Sequence, residues 1–267
     1  MELPVNHFKK ALNEGRTQLG LWCALANAYG TEIGACAGYD WLLIDAEHGP
    51  NDLQLVLAQL QAVAPYPVTP VVRPLNGDSD TLKPLLDAGV QTFLIPMVES
   101  AEQARRIVAA TRYPPLGHRG VGAGLARASR WGRVPEYVHH CHTELCILIQ
   151  VENRAGIDNL NEIAAVEGVD GVFIGAADLA ADMGYLGQPG HPAVNSVVLE
   201  AFKQIQVAGK PAGALTVNEL LAHEHLAAGC QFLAIGADTS LLARVTDDLL
   251  RRFKSPEDTT PAHSNSY

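Results

Sequence analysis

Two carboxylates and an imidazole follow directly on an apolar run in Trp41-Leu42-Leu43-Ile44-Asp45-Ala46-Glu47-His48-Gly49-Pro50. A short apolar run closed by turn residues reads as a buried strand, so Asp45, Glu47 and His48 leave it at its C-terminal exit. One of them can cap a helix starting near Asn51, but capping does not account for all three. The same punctuation recurs. Arg73 closes Val71-Val72-Arg73-Pro74, Gln150 and Glu152 close Gln150-Val151-Glu152, and Gly175-Ala176-Ala177-Asp178 follows Phe173-Ile174. Glu152 and Asp178 suit a hard divalent cation, since Mg²⁺ or Mn²⁺ is commonly held by one or two carboxylates plus water and substrate oxygens. Co²⁺ would also satisfy two carboxylates, and the alternative for the pair is ordinary loop capping. His48 suits a general base because imidazole titrates near neutrality, with Asp45 or Asp87 to orient it. Arg73 offers a fixed cation for an oxyanion or a carboxylate. The amides of Gly175, Ala176 and Ala177 could face a bound carboxylate.

Other chemistries lack their residues. None of Lys9, Lys10, Lys83, Lys203, Lys210 and Lys254 ends an expected strand, so a Schiff-base mechanism has no amine. No G-x-S-x-G elbow is present, and no Cys/His set has zinc spacing.

The elements that must position these groups alternate. Strands are expected at Gln18–Ala24, Trp41–Asp45, Pro70–Arg73, Thr92–Met97, Leu145–Val151, Val169–Ile174, Pro211–Leu215 and Phe232–Gly236. Helical spacing marks Asn51–Ala64, Thr81–Asp87, Ala101–Thr111, Ile157–Ala165, Pro192–Ala208, Glu219–Ala228 and Ser240–Arg252. Alternation of this kind implies parallel βα units and a single-domain (β/α)8 TIM barrel over residues 1–253, whose chemistry belongs at the strand C-termini. A doubly wound open sheet is the alternative, without a G-x-G-x-x-G turn to support it. Gly38, Gly89, Gly168 and Gly229 sit where helix C-caps should. Residues 113–143 are longer than an ordinary connection. Their glycines and arginines (Arg119, Arg127, Arg130, Arg133) fit either packing on a neighbouring subunit or an anion-handling lid. His139, His140 and His142 read as solvated histidines rather than a metal tract.

Composition narrows the setting. With 267 residues, 48% of them hydrophobic, the chain can bury one large core. A net charge of −10 argues against nucleic acid. Five scattered cysteines without a C-x-x-C pair fit reduced thiols in a cytoplasmic protein. Neither a signal peptide nor a membrane span is expected. Residues 254–267 are polar and rich in Pro, Ser and Thr, and read as a disordered tail.

Taken in order, Leu43-Ile44-Asp45-Ala46-Glu47-His48, Val71-Val72-Arg73-Pro74, Tyr113-Pro114-Pro115-Leu116-Gly117-His118-Arg119-Gly120, Gln150-Val151-Glu152 and Phe173-Ile174-Gly175-Ala176-Ala177-Asp178-Leu179 resemble the HpcH/HpaI aldolase family. The likeness runs from about Phe8 to Phe253. It implies a class II pyruvate aldolase of the kind used in aromatic degradation, cleaving a 4-hydroxy-2-oxo acid such as 4-hydroxy-2-oxoheptanedioate to pyruvate and an aldehyde. It implies Glu152 and Asp178 as metal ligands, and His48 as base working with Asp45 and Asp87. Arg73 would lie near the reacting oxygens, with Gln150 and Glu47 around the metal. The Gly175–Ala177 amides would hold the pyruvate carboxylate, and Trp22 and Leu215 would line the pocket. It also implies a hexamer whose last helix is exchanged between subunits. Ala46, Ala176 and Ala180 depart from the commoner glycine, proline and serine. Of these, Ala176 bears on donor preference, because proline would fix φ in the carboxylate-binding loop. A sugar-acid aldolase of the 2-dehydro-3-deoxyglucarate type and a metal-dependent hydrolase of an oxo acid or ester are the alternatives.

Overall fold

A computed structural model describes residues 1–254. The strands are β1 (Gln18–Cys23), β2 (Trp41–Asp45), β3 (Thr69–Arg73), β4 (Thr92–Ile95), β5 (Cys146–Val151), β6 (Gly171–Ile174), β7 (Ala212–Leu215) and β8 (Cys230–Ala237). They pair in sequence order into a closed barrel, all parallel, with β8 returning to β1. The expected barrel is therefore the observed fold. The helices are α1 (His7–Asn13), α2 (Ala28–Cys36), α3 (Leu53–Val63), α4 (Ser79–Ala88), α5 (Ala101–Thr111), α6 (Tyr137–His140), α7 (Arg154–Asp158), α8 (Leu160–Ala164), α9 (Ala176–Asp182), α10 (Pro192–Val207), α11 (Glu219–Ala227) and α12 (Asp238–Arg251).

Strand alternation sorts the side chains into two cores. Trp22, Trp41, Leu43, Val71, Leu148, Phe173 and Phe232 fill the barrel interior. Ile44, Val72, Ile149, Val151 and Ile174 point outward and pack with the helices. Because the period is two, the inward row of β2 runs Trp41, Leu43, Asp45, and that of β3 runs Val71, Arg73. The hydrophobic pattern itself thus delivers Asp45 and Arg73 to the interior at the strand C-termini. At the opposite end α1 closes the barrel. Phe8 meets Trp41 and Phe232 with ring centroids 5.9 and 6.0 Å apart.

Several local expectations change. Residues 28–36 form α2 although two glycines and scattered polar residues hide any apolar stripe. The stretch expected as one helix over Ile157–Ala165 is two short ones that meet at Asn159. Residues after Gly175, read as loop, wind into α9. The four cap glycines stand as expected, each left-handed, with Gly89 at φ +103 closing α4. α12 buries none of its residues and leaves Leu242, Val245, Leu249 and Leu250 exposed. The tail expected over 254–267 lies, from residue 255 onward, outside the described residues. Among the described residues no helix is long and apolar enough to cross a membrane. The five cysteines are unpaired thiols, and four of them are buried.

Candidate active site

Asp45 and Arg73 are register partners on β2 and β3, and their side chains meet as a two-point pair. Arg73 Nε donates to Asp45 Oδ1 at 2.9 Å and Nη2 donates to Oδ2 at 2.5 Å. Trp22 Nε1, on the neighbouring β1, donates to Oδ2 at 3.0 Å, and the Arg73 guanidinium lies over the Trp22 ring, 4.8 Å from its centroid. Burial alone would push the Asp45 carboxyl up. The Arg73 and Trp22 contacts outweigh it and hold Asp45 below the usual carboxylate range.

Asp45 also shapes the segment that follows it. Its Oδ1 accepts the backbone N–H groups of Glu47 at 3.1 Å and His48 at 3.3 Å. Asp45 therefore orients His48 through the main chain and leaves the imidazole free. The His48 side chain is two-thirds exposed, and its Nε2 lies 3.9 Å from Glu47 Oε2. Behind this turn Asn51 Nδ2 donates to the Asp45 carbonyl at 2.7 Å. Gln59 in turn donates to Asn51 at 2.6 Å. Gly49 must be glycine here, since a Cβ would run into the Asp45 carbonyl oxygen.

A second group of carboxylates faces the first. Glu152, just past β5, is buried. Its Oε1 accepts the Met97 N–H at 2.8 Å, and its Oε2 accepts from Gln150 Nε2. Gly175 leaves room for it, because a Cβ would sit 2.6 Å from Glu152 Oε2. Burial, with Asp178 and Glu47 nearby, pushes the Glu152 carboxyl up to about 7. Glu47 is also raised, first by burial and then by Asp45 and Asp178. Arg73 Nη1, the nitrogen Asp45 does not use, forms an ion pair with Glu47 Oε2 at 2.9 Å, which offsets part of that rise. Gln150 Oε1 is buried without a hydrogen-bond donor.

These observations test the fit of a divalent cation. A buried carboxylate raised by its burial and by two neighbouring carboxylates, beside an acceptor without a donor, forms a site that a cation would complete. Among the described residues no three His, Cys, Asp or Glu side chains are arranged as a ready-made metal cage. The candidate donors are Glu152 and Asp178, the latter in the first turn of α9. Two carboxylates leave most positions to water and substrate oxygens, as hard cations accept. The residues fit the group.

Of the residues singled out from sequence, Trp22, Asp45, Glu47, Arg73, Gln150, Glu152 and Asp178 share this end of the barrel. Gly175, Ala176 and Ala177 form the N-cap and first positions of α9 there. Leu215, at the end of β7, packs against the interior cluster beside Trp22. Asp87 is the exception. It lies on the last turn of α4, whose chain leads through Gly89 into the start of β4, and so belongs to the opposite end of its own barrel. There Arg119 Nη2 contacts it at 2.6 Å. The 113–143 excursion packs at that end as well, with Arg127 Nη1 donating to the Ala88 carbonyl at 2.8 Å. It does not cover the site of its own chain. Sequence reasoning missed Met97, Asn51 and Asp238. The Asp238 carboxylate, beginning α12, accepts from the N–H groups of Ala24 and Leu25 at 2.9 and 3.2 Å. Only the Met97 position carried a signal, being the residue after Pro96 at a strand end.

A closed parallel barrel with an imidazole, a guanidinium and carboxylates gathered at its strand C-termini has the layout of a barrel enzyme. The comparisons with known proteins make this particular. Residues 18–244 match the HpcH/HpaI aldolase/citrate lyase family. The chain is 55% identical over 267 residues to a hydroxypyruvate/pyruvate aldolase of Pseudomonas aeruginosa, covering 100% of both chains. It is 56% identical over 248 residues to a 4-hydroxy-2-oxo-heptane-1,7-dioate aldolase of Salmonella arizonae, covering 93% of this chain and 94% of that one. The crystal structure of an HpcH/HpaI aldolase/citrate lyase family protein from Burkholderia cenocepacia superposes with a TM-score of 0.90 at 36% identity, covering 94% of this chain and 100% of that chain. The protein belongs to the HpcH/HpaI aldolase family. It is an aldolase, a carbon–carbon lyase.

Proposed function

We propose that the protein cleaves a 4-hydroxy-2-oxo acid, such as 4-hydroxy-2-oxoheptanedioate, reversibly to pyruvate and an aldehyde, with a divalent cation (Mg²⁺, Mn²⁺ or Co²⁺) at Glu152 and Asp178. The observation that carries this reading is the buried Glu152 carboxylate, raised by its burial and by the neighbouring Asp178 and Glu47, beside the unpaired Gln150 Oε1 and facing the Asp45–Arg73 pair. When bound, the cation would polarise the 2-oxo group and stabilise the enolate charge. Arg73, held flat by Asp45 and Trp22, turns Nη1, which it shares with Glu47, toward the reacting oxygens. His48, exposed toward the mouth, takes the proton from the 4-hydroxyl as the C–C bond breaks. The amides at Gly175–Ala177 receive the pyruvate carboxylate, and Trp22 and Leu215 form the apolar wall. Ala176 leaves φ free where a proline would fix it, which bears on the choice between pyruvate and a bulkier donor.

Asp87 can serve His48 only from a neighbouring copy, because its own barrel separates the two. This supports an oligomer, and the exposed apolar stripe of α12 supports a helix exchanged between subunits of a hexamer. The unpaired thiols support a cytoplasmic setting.

The test is exchange of the methyl protons of pyruvate with solvent, followed by NMR with and without EDTA. Exchange that EDTA abolishes is expected, as is its loss in Glu152→Ala. His48→Ala should abolish cleavage of the hydroxy-oxo acid. Exchange insensitive to EDTA, or near-normal cleavage by either variant, overturns the reading. The sugar-acid alternative is separated by which aldehyde of a panel condenses fastest with pyruvate.

A further inference from the structure

Directly after β4 the chain does something that packing does not require. Met97 is left-handed, at φ +57, although it carries a Cβ and its side chain is about half exposed, 48%. A left-handed non-glycine residue is strained and persists only where its surroundings hold it. What it achieves is visible in the hydrogen bonds. In an extended strand successive N–H groups point to opposite sides. Here the N–H of Met97 donates to Glu152 Oε1 at 2.8 Å, and that of Val98 donates to the Gln150 carbonyl at 3.2 Å. Both aim at the end of β5. The dihedral angles of Met97 set the angle between those two peptide planes, so the left-handed turn is the means of that convergence.

A clamp holds the turn. Gln103, in the first turn of α5, spans it from behind. Its Nε2 donates to the Met97 carbonyl at 3.1 Å, and its Oε1 accepts the Glu99 N–H at 3.0 Å. Glu99 is tied in turn to the chain that follows Glu152. Its carboxylate accepts from Asn153 Nδ2 at 2.5 Å, and its carbonyl accepts from Asn159 Nδ2 at 2.8 Å. The result is one rigid unit of Met97–Glu99 and Gln150–Asn153. Within it both Glu152 oxygens are assigned a donor, Oε1 to the Met97 amide and Oε2 to Gln150.

We infer that Met97, through its strained backbone, and Gln103, through its amide side chain, are positioning residues that fix the plane of the Glu152 carboxylate for the metal. The inference rests on the reading of Glu152 as a ligand. Met97 acts on Glu152 through its amide, and Gln103 acts through Met97 and Glu99. Their effect is on how well the ligand is oriented before the metal arrives, and outer partners of that kind commonly carry 10- to 100-fold in metal affinity.

The experiment titrates the whole protein with Mn²⁺ alone and reads free Mn²⁺ by its EPR signal. Gln103→Met keeps the length and loses both hydrogen bonds. Gln103→Glu keeps the acceptor for Glu99 and loses the donor to Met97. We expect Mn²⁺ binding weakened about 10-fold in Gln103→Met and by an intermediate factor in Gln103→Glu, with kcat at saturating Mn²⁺ within about two-fold of the parent. Adding Met97→Gly to Gln103→Met should recover part of the lost affinity, because glycine adopts the left-handed turn without a clamp. A merely structural role would give the reverse, since glycine loosens the chain. Unchanged Mn²⁺ affinity in Gln103→Met overturns the inference, as does an absence of recovery with Met97→Gly. If Gln103→Met does not fold, the Gln103→Glu comparison decides in the same way. Glu152→Gln separates the two levels. If it binds Mn²⁺ like the parent, the reading of Glu152 fails. If it loses Mn²⁺ while Gln103→Met does not, only the clamp fails.

Discussion

Two aspartate–arginine pairs stand at opposite ends of this barrel, and they are built differently. At the strand C-termini Asp45 and Arg73 are both buried, 2% and 7% exposed, and joined at two points. Trp22 and the amides of Glu47 and His48 take up the remaining capacity of Asp45. At the other end Arg119 is wholly buried while Asp87 is 32% exposed, and one contact joins them. Arg119 stacks on Tyr113, 4.4 Å from its ring centroid, with Nε and Nη1 left without acceptors. The first pair is closed and serves to hold its own site. The second is open and leaves a carboxylate partly exposed at the surface.

The largest expected effect follows from closure. Arg73→Met leaves the Asp45 charge buried and unpaired, which should cost about 3–5 kcal/mol in urea unfolding and abolish cleavage. Arg119→Met should cost distinctly less, because the partly exposed Asp87 regains water and two unpaired N–H groups leave with the guanidinium. Equal losses would break the comparison.

The second effect is a pH dependence with opposite signs at two carboxylates of the same site. Glu152 is raised to about 7, chiefly by burial. Between the ordinary carboxylate range and that value the folded protein keeps a proton the unfolded chain has released. Stability of the metal-free protein should therefore fall as pH rises through that window, by on the order of 3 kcal/mol at most. Glu152→Gln should flatten that slope. Asp45 is lowered in spite of its burial, by Arg73. Its contribution is present above the unfolded value and is lost as pH falls through the folded one. Urea midpoints measured from acid to pH 8 with EDTA present would show both limbs.

The contrast also shows what could be read in the chain beforehand. The closed site was legible because period-two alternation and strand-end punctuation are local, so Asp45, Arg73 and Glu152 could be placed by counting along their strands. Gly38, Gly89, Gly168 and Gly229 marked helix ends for the same local reason. α2 was not legible, since Gly30 and Gly34 break its pattern, and neither was the break at Asn159. Met97 and Gln103 act through backbone geometry and bonds across elements, which side-chain type does not announce. The position of Asp87 at the opposite end of its own barrel was not legible, because motif order carries no information about which end of the barrel a helix terminus faces.

A smaller effect tests the openness of the second pair. Asp87→Asn should leave the urea midpoint within about 1 kcal/mol, since the residue is partly exposed with one contact. Cleavage should nevertheless fall by about 100-fold if the carboxylate supports His48. Co-expressing Asp87→Asn with His48→Ala should then restore a measurable fraction of activity in mixed oligomers, as each chain supplies what the other lacks. No recovery would place Asp87 outside the neighbouring site.

The smallest effect bears on how the open pair is kept open. Tyr113 lies under Arg119, and its hydroxyl is buried without a partner. Burial pushes that phenol up to about 12, so it stays neutral at any working pH. A buried hydroxyl that makes no hydrogen bond costs stability, and removing it with the ring left in place removes that cost. Tyr113→Phe should accordingly be neutral or stabilising by up to about 1 kcal/mol, with the cation–π contact and cleavage unchanged. Destabilisation by the same amount would mean that the hydroxyl and the free N–H groups of Arg119 share a bound water. The second pair would then be as closed as the first, and the difference between the two ends would lie in the exposure of Asp87 alone.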